Sequence, residues 1–416
     1  MGDTDGLIRG LLRERETRMS DVIIVGGGIG GLSLALALES VGIASTIYEA
    51  TPVIQQVGVG INVLPYAMRV LAALGLEKEL EKRAIPTRSS AYFDRCGRSL
   101  HQMPVGHFAG EIWPQLSIHR AELQAVMLDA VRERLGSHQI RTGWECTGVS
   151  SEQDDEACVN FRDRRTGQKL EPQRAGIVVA CDGIHSRVRR QFYPNEGAPR
   201  YSGVFMWRGV TRRSKFLDGA TMVRVGLPAV GKMVIYPIRD YDDGTQLINW
   251  VAEVEVPDPG NFCSKRDWNC PGDAKDFVEV FADWRFDWLD VPELIRNAQT
   301  ILQFPMMDRD PLPRWSFGRV TLLGDAAHPL VPLGSNGAGQ AILDAEVLAR
   351  ELAYCRDPAD GLARYESVRL PATAEIVMSD RAGGPDVILQ EGEERLRLLV
   401  PVPTDRSAFP RSAEAA

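Results

Sequence analysis

The stretch DVIIVGGGIGGLSLALALESVGIASTIYEA, Asp21 to Ala50, narrows the folds open to this chain more than any other feature. A short apolar strand, Val22 to Val25, runs into Gly26-x-Gly28-x-x-Gly31. A helix follows from about Gly30 to Ser40, and a second strand, Ala44 to Tyr48, ends at Glu49. Parallel strands joined by a crossover helix form a βαβ unit, which calls for an α/β sheet covered on both faces. Glycines at this spacing allow the tight turn, the close approach of a pyrophosphate and the packing of helix on strand. The phosphates then lie on a helix N-terminus, where free N–H groups and the dipole favour negative charge. Glu49, 23 residues after Gly26, stands where a carboxylate accepts from a ribose hydroxyl. The glycine pattern alone is weak evidence, but strand, helix and acid together point to a bound dinucleotide.

Composition removes several classes of partner. The formal net charge is -8 and no run of Lys or Arg occurs, which argues against a nucleic-acid surface. No apolar run reaches the ~18–20 residues of a bilayer span, so no membrane segment is expected. Residues 1–20 carry no long apolar core and read as a charged leader rather than a secretion signal. Seven cysteines without a CxxC pair suit free thiols in a reducing cytoplasm, and the six histidines show no metal-binding spacing.

Two more stretches repeat the strand-then-turn pattern. Strand Ile177 to Ala180 breaks at Asp182-Gly183 into an Arg-bearing helix, in the order D-G-x-x-S-x-x-R ending at Arg189. A third strand reaches Gly324-Asp325, and the proline-braced, glycine-rich loop of Pro332 to Gly339 leads into a long helix. Helices are also expected over Tyr66 to Leu74 and Arg120 to Leu135, and in DAKDFVEVFADW and VPELIRNA. Between Tyr201 and Val256 the pattern becomes β-branched and aromatic runs separated by turns, as in an antiparallel sheet. The expected architecture is therefore α/β with an α+β insert. A Rossmann-like nucleotide domain is assembled from residues 21–86, 115–200 and 315–390. A sheet domain of residues 87–114 and 201–314 is inserted between these pieces, and residues 391–416 form an atypical tail.

The three motifs, in this order, resemble those of the class A FAD-dependent aromatic hydroxylases, the para-hydroxybenzoate and salicylate hydroxylase family. The resemblance runs from Asp21 to about Gln390. Segments such as FMWRGVT, LINWV and MDRDPLP are similar to the phenazine hydroxylases of pyocyanin biosynthesis. It implies a cofactor site made of Gly26, Gly28, Gly30, Gly31, Glu49, Arg120, Gln124, Asp182, Arg189, Asp325, Gly337, Ala338 and Gly339. Asp325 matches the ribityl-binding acid. The 332–339 loop matches the one whose amides face the flavin pyrimidine edge, and His328 with Pro329 shapes it. Asp182 and Arg189 match a motif associated with both FAD and NAD(P)H. One departure is Gly339, which replaces an Asn found in many relatives and so lacks its side-chain contact to the flavin.

The same resemblance implies the reaction. NADPH or NADH binds transiently and reduces FAD, O2 adds to give a flavin hydroperoxide, and oxygen passes to an electron-rich ring. The expected substrate is phenazine-like or an aromatic carboxylate, with loss of CO2 if the acid sits on the attacked carbon. Lys232, Val234 and Tyr236 share one face of a strand by period two, and by resemblance that face looks toward the flavin. Tyr236 is either a pocket residue or a packed tyrosine with a satisfied hydroxyl. Arg208 is the candidate partner for a substrate carboxylate, with Lys232 behind it; Pro332 offers its carbonyl to a substrate hydroxyl. Trp207 and Trp250 read as core. The chain is expected to act as a monomer or homodimer. The rivals are a flavin reductase, a flavin halogenase, whose Trp-x-Trp-x-Ile-Pro signature is missing, and a non-catalytic FAD-binding module.

Overall fold

Val22–Val25 is four β-branched residues in a row, buried on both faces, so it takes the centre of a sheet. The computed structural model describes residues 22–54, 58–151, 156–256 and 270–399, so the expected leader, residues 1–20, lies outside the described residues. Around Val22–Val25 a six-stranded sheet forms in the order Ser316–Phe317, Val320–Leu322, Ile177–Ala180, Val22–Val25, Ser45–Glu49, Ile140–Thr142. All neighbours pair parallel except the antiparallel edge strand Ser316–Phe317. Val25 stands beside Tyr48 on one side and Ala180 on the other, and Ala180 stands beside Leu322. The strand ends that carry the three motifs are thus adjacent and level.

The glycines of the first turn have separate jobs. Gly26 has φ +111°, and a Cβ there would lie 2.4 Å from the carbonyl oxygen of Cys181. At Gly31 a Cβ would lie 2.0 Å from the carbonyl of Gly26, so only glycine lets the helix Ile29–Ser40 seat on its strand. Gly28 meets nothing within 4 Å and borders open space.

A seven-stranded sheet forms the second layer, in the order Thr300–Asp308, Arg200–Ser214, Thr245–Glu255, Gly231–Asp240, Thr221–Leu227, Ser89–Phe93, Ser99–Pro104. One face is dry core: Phe205, Trp207, Met233, Ile235, Trp250 and Ala252 pack under Phe277, Phe281 and Trp284. The opposite face carries Arg208, Val234, Tyr236, Asn249 and Val251 and looks toward the nucleotide domain. The sheet departs from pure antiparallel pairing where Thr221–Leu227 runs parallel to Ser89–Phe93, a strand supplied by an earlier part of the chain. DAKDFVEVFADW does not form the expected helix. It makes two 3-10 turns, Ala274–Asp276 and Val278–Phe281, because Phe277, Phe281 and Trp284 are all drawn onto the sheet. The helix Val387–Leu399 crosses residue 390 and packs on strands Thr221–Leu227, Ser89–Phe93 and Ser99–Pro104, so the tail begins as an ordered element of the fold.

Replacing Gly31 with Ala should destabilise the protein by about 3 kcal/mol, because the methyl must push helix and strand apart. Thermal unfolding tests this, and a melting temperature within a degree of wild type would show that the seam can open freely.

Candidate active site

Three loops leave the level strand ends and enclose one cleft. From the first, the 12-residue helix Ile29–Ser40 begins at Gly28 with no side-chain cap, so its leading N–H groups face the cleft. Beside it Glu49 is fixed in place: Oε2 accepts from the Gly27 amide at 2.7 Å, and Oε1 accepts from the Thr51 amide at 2.7 Å. Gln124 donates to the Gly27 carbonyl at 3.2 Å, which ties the helix Arg120–Arg134 to the turn.

The second loop holds Asp182. Its Oδ2 accepts from the Arg187 amide at 2.8 Å, whereas Oδ1 is buried and has no protein partner. Burial raises the Asp182 carboxyl above its ordinary range, with bonds from Ser186 and nearby amides opposing the shift. An orphaned buried oxygen of this kind calls for a donor from a ligand. Arg189 does not reach the cleft. It is 2% exposed, pairs with Glu196, and donates from Nη1 to the carbonyls of Ala326 and Ala327 at 3.1 and 2.7 Å. The residue expected to touch the cofactor instead braces the turn that presents Asp325.

Asp325 begins the third loop. Its side chain is open to the cleft, yet protein surrounds it closely enough that desolvation raises its carboxyl, against the pull of His328 and Arg120. Arg120 faces it, its own ionisation disfavoured by burial and favoured by Asp325. Beneath, His328 Nε2 lies 2.5 Å from Asp344 Oδ2, and Arg369 donates to Oδ1 at 2.7 Å. Burial opposes ionisation of Asp344, but the contacts with His328 and the Arg369 guanidinium outweigh it and hold the carboxyl below its usual range. His328 is thus a structural group of the loop base.

The 332–339 loop ends at the uncapped start of the helix Gly337–Tyr354, so the amides of Gly337, Ala338 and Gly339 are free to meet negative charge. Ser335 sits at φ +59°, a conformation that a non-glycine residue holds only under constraint. Tyr66 contributes to that constraint: its hydroxyl donates to Asn336 Oδ1 at 3.0 Å and accepts from Gln340 at 3.2 Å. A Cβ on Gly339 would lie 2.5 Å from the Tyr66 hydroxyl, so Tyr66 occupies the space a side chain at 339 would need. Nothing local in PYAMRVL announces this; the pair is 273 residues apart.

Across the cleft stands the inserted sheet. Arg208 donates from Nη2 to the Gly60 carbonyl at 3.2 Å, and its buried Nε has no partner. Burial disfavours its charge, Tyr236 favours it and Arg120 disfavours it. Tyr236 is 4% exposed, and burial pushes its hydroxyl up to about 12. Asn249 beside it accepts from the Gly60 amide at 2.6 Å and keeps a buried, unpartnered Nδ2. Val331 and Leu333 of the flavin-type loop pack on Met206 and Val251, with Pro332 exposed between them. Lys232 is not available to a substrate: it is 1% exposed and bound by Glu253 at 2.9 Å and Asp386 at 2.5 Å. The physical reason is burial, since a cation withdrawn this far from water needs carboxylates of its own. A separate basic hollow of about 390 Å³ lies outside the Asp182 loop, with His185, Arg190 and Arg309 in its wall.

The donors and open surfaces of the cleft fit FAD: bare amides at Gly28, an orphaned oxygen on Asp182, the Arg120–Asp325 pair and the free helix start at Gly337. Asp325→Ala should weaken FAD binding by about 2 kcal/mol, or roughly 30-fold, through loss of a charge-assisted hydrogen bond. Titration of apoprotein with FAD by flavin fluorescence tests this; unchanged affinity would remove Asp325 from the site.

Known proteins agree. A family model for the FAD binding domain matches residues 19–256 and 295–380. The chain is 43% identical over 373 residues to phenazine 1,6-dicarboxylic acid hydroxylase PhzS of Lysobacter antibioticus, covering 87% of this chain and 89% of the relative. It is 35% identical to the 3-amino-4-hydroxybenzoate 2-monooxygenase PtmB3 of Streptomyces platensis, covering 90% and 91%. The crystal structure of Klebsiella pneumoniae HpxO with FAD and uric acid superposes with a TM-score of 0.73 at 27% identity, covering 91% and 92%. The glycine turn, the two acids at strand ends and the inserted sheet are those of a flavoprotein hydroxylase, and the chain belongs to the family of FAD-dependent aromatic monooxygenases.

Proposed function

We propose that the substrate is a fused, phenazine-like aromatic carboxylate whose acid group is received by Arg208. The observation that carries this reading is a guanidinium held beside an apolar face with a buried, unpartnered Nε. A cation there needs an anion, and a bidentate carboxylate satisfies it. The relatives' names support the choice, since phenazine dicarboxylic acid and aminohydroxybenzoate are both aromatic acids.

When bound, FAD would supply the redox chemistry, namely hydride acceptance from NAD(P)H and activation of O2 for transfer to the ring. The chain's own residues hold and orient. Amides at Gly28 and the helix start receive the pyrophosphate, Glu49 the adenosine ribose, and Asp325 the ribityl chain. Amides of Gly337 to Gly339 stabilise negative charge at the pyrimidine edge. Tyr236 and Asn249 offer a hydroxyl and a free amide to substituents on the ring, and the Pro332 carbonyl accepts from a substrate hydroxyl. Burial keeps the Tyr236 hydroxyl neutral, so it acts as a donor and not as a base at pH 7. The hollow at His185, Arg190 and Arg309 offers guanidinium groups to the phosphates of NADPH or NADH. The six described cysteines stand unpaired, which supports a cytoplasmic setting; monomer and homodimer are both compatible with the fold.

With labelled O2, one labelled atom should enter the ring and the other appear in water. An unlabelled product, or full-rate turnover without O2, would indicate a reductase. Arg208→Ala should weaken binding of an aromatic acid about tenfold or more and leave its neutral analogue unaffected. Release of CO2, measured alongside, reports whether the acid sits on the attacked carbon. Equal loss for acid and neutral ring would remove Arg208 from recognition.

A further inference from the structure

The cleft-facing side of the inserted sheet carries a second buried arginine, in line with the first. Register places Leu302, Arg208, Val251, Val234, Arg224 and Tyr92 in one row across six strands. Directly paired residues point to the same face, so both guanidinium groups rise on the same side. Arg224 is 7% exposed. Its Nη1 donates to the Ser90 hydroxyl at 2.8 Å and its guanidinium lies 5.4 Å from the centre of the Tyr92 ring. Among the described residues the Ser90 contact is its one side-chain hydrogen bond, so Nε and Nη2 have no partner there, and no carboxylate pairs with it. Glu253, the acid that feels its charge, is already bound by Lys232 at 2.9 Å. Arg208 likewise has no carboxylate within 4.0 Å among the described residues.

Between the two cations lie Val251 and Val234. Their sequence neighbours Trp250, Ala252, Met233 and Ile235 are fully buried on the opposite face, whereas these two valines are only partly covered. Two partly exposed valines in the middle of a seven-stranded sheet leave apolar surface for a flat ring to lie against. Three inter-strand steps separate Arg208 from Arg224, roughly 14 Å. That is the separation of the backbone positions, and the Arg224 guanidinium leans to Ser90 and Tyr92 on the next strand, away from Arg208. Two cations placed so far apart on one face suit a row of fused rings with an acid at each end.

We propose that Arg208 and Arg224 are the two ends of one clamp, and that the preferred substrate is a flat, fused-ring aromatic with an acidic group at each end. This rests on the reading of Arg208 given above and adds Arg224 as a specificity-determining residue. Val331 and Leu333 pack on Met206 and Val251, so the flavin-side loop covers the Arg208 end. The ring held at Arg208 is therefore the one that reacts, and Arg224 holds the distal acid away from the chemistry.

The test uses the FAD-loaded enzyme and three probes: phenazine-1,6-dicarboxylate, phenazine-1-carboxylate and unsubstituted phenazine. Dissociation constants come from quenching of flavin fluorescence, for wild type, Arg208→Ala, Arg224→Ala and Arg224→Gln. Wild type should bind the diacid about tenfold or more tighter than the monoacid. Both Arg224 variants should lose that preference and keep the monoacid affinity, while Arg208→Ala weakens both acids. FAD content and melting temperature identify a variant that has misfolded, and Arg224→Gln keeps a polar, uncharged side chain at the position where alanine leaves a void. A diacid preference that survives in both Arg224 variants, or an equal loss of diacid and monoacid, overturns the clamp. If wild type binds the monoacid well but shows no diacid preference, the clamp falls and the Arg208 reading stands. If wild type binds unsubstituted phenazine as tightly as either acid, both fall.

Discussion

Everything in this molecule hangs on the level ending of adjacent parallel strands. Val25, Ala180 and Leu322 are paired in register, with Tyr48 on the far side of Val25. The residues that follow each strand are therefore forced to one crevice at the carboxyl edge of the sheet, where an α/β sheet binds its ligand. Gly26, Glu49, Asp182 and Asp325 come from positions up to 299 residues apart, and no local preference would gather them. The glycine contacts keep the arrangement tight, since a methyl at Gly31 would already overlap the Gly26 carbonyl.

The nucleotide half was legible because its signals are local. The turn glycines, the apolar strands and the acids at strand ends all lie within a few residues of the element they define. Helix limits read from caps and stops came within a residue or two of Ile29–Ser40, Pro65–Ala73 and Arg120–Arg134. Arg189 and Lys232 were read less well, for a shared reason. Each is a buried cation whose role is decided by partners far along the chain: Ala326 and Ala327 for one, Asp386 for the other. The aromatic run after Asp273 was misread as a helix because its spacing serves the sheet surface beneath it and not a helical face. Tyr66 and Asn249 were missed altogether, each having its partner 189 or more residues away.

Two electrostatic designs meet across the cleft. Beneath the flavin-type loop, Asp344 bonds both His328 and Arg369 and so ties the base of the loop to two helices. On the sheet, Lys232 is closed in the same way by Glu253 and Asp386, which also ties the segment before the C-terminal helix to the sheet. Arg208 is left open by contrast. A buried cation left without a carboxylate, as Arg208 and Arg224 are among the described residues, is completed by a ligand. The same comparison explains why the tail is part of the fold: the helix Val387–Leu399 follows directly from the Asp386 anchor.

The most direct measurement is a crystal structure of the FAD-loaded enzyme. The adenosine ribose should lie at Glu49, the pyrophosphate over Gly28 and the ribityl chain at Asp325. The isoalloxazine ring then lies between the Gly337 helix start and the sheet face bearing Arg208 and Tyr236. A flavin ring directed instead into the basic hollow at His185 and Arg309, or lying clear of the inserted sheet, would contradict this placement.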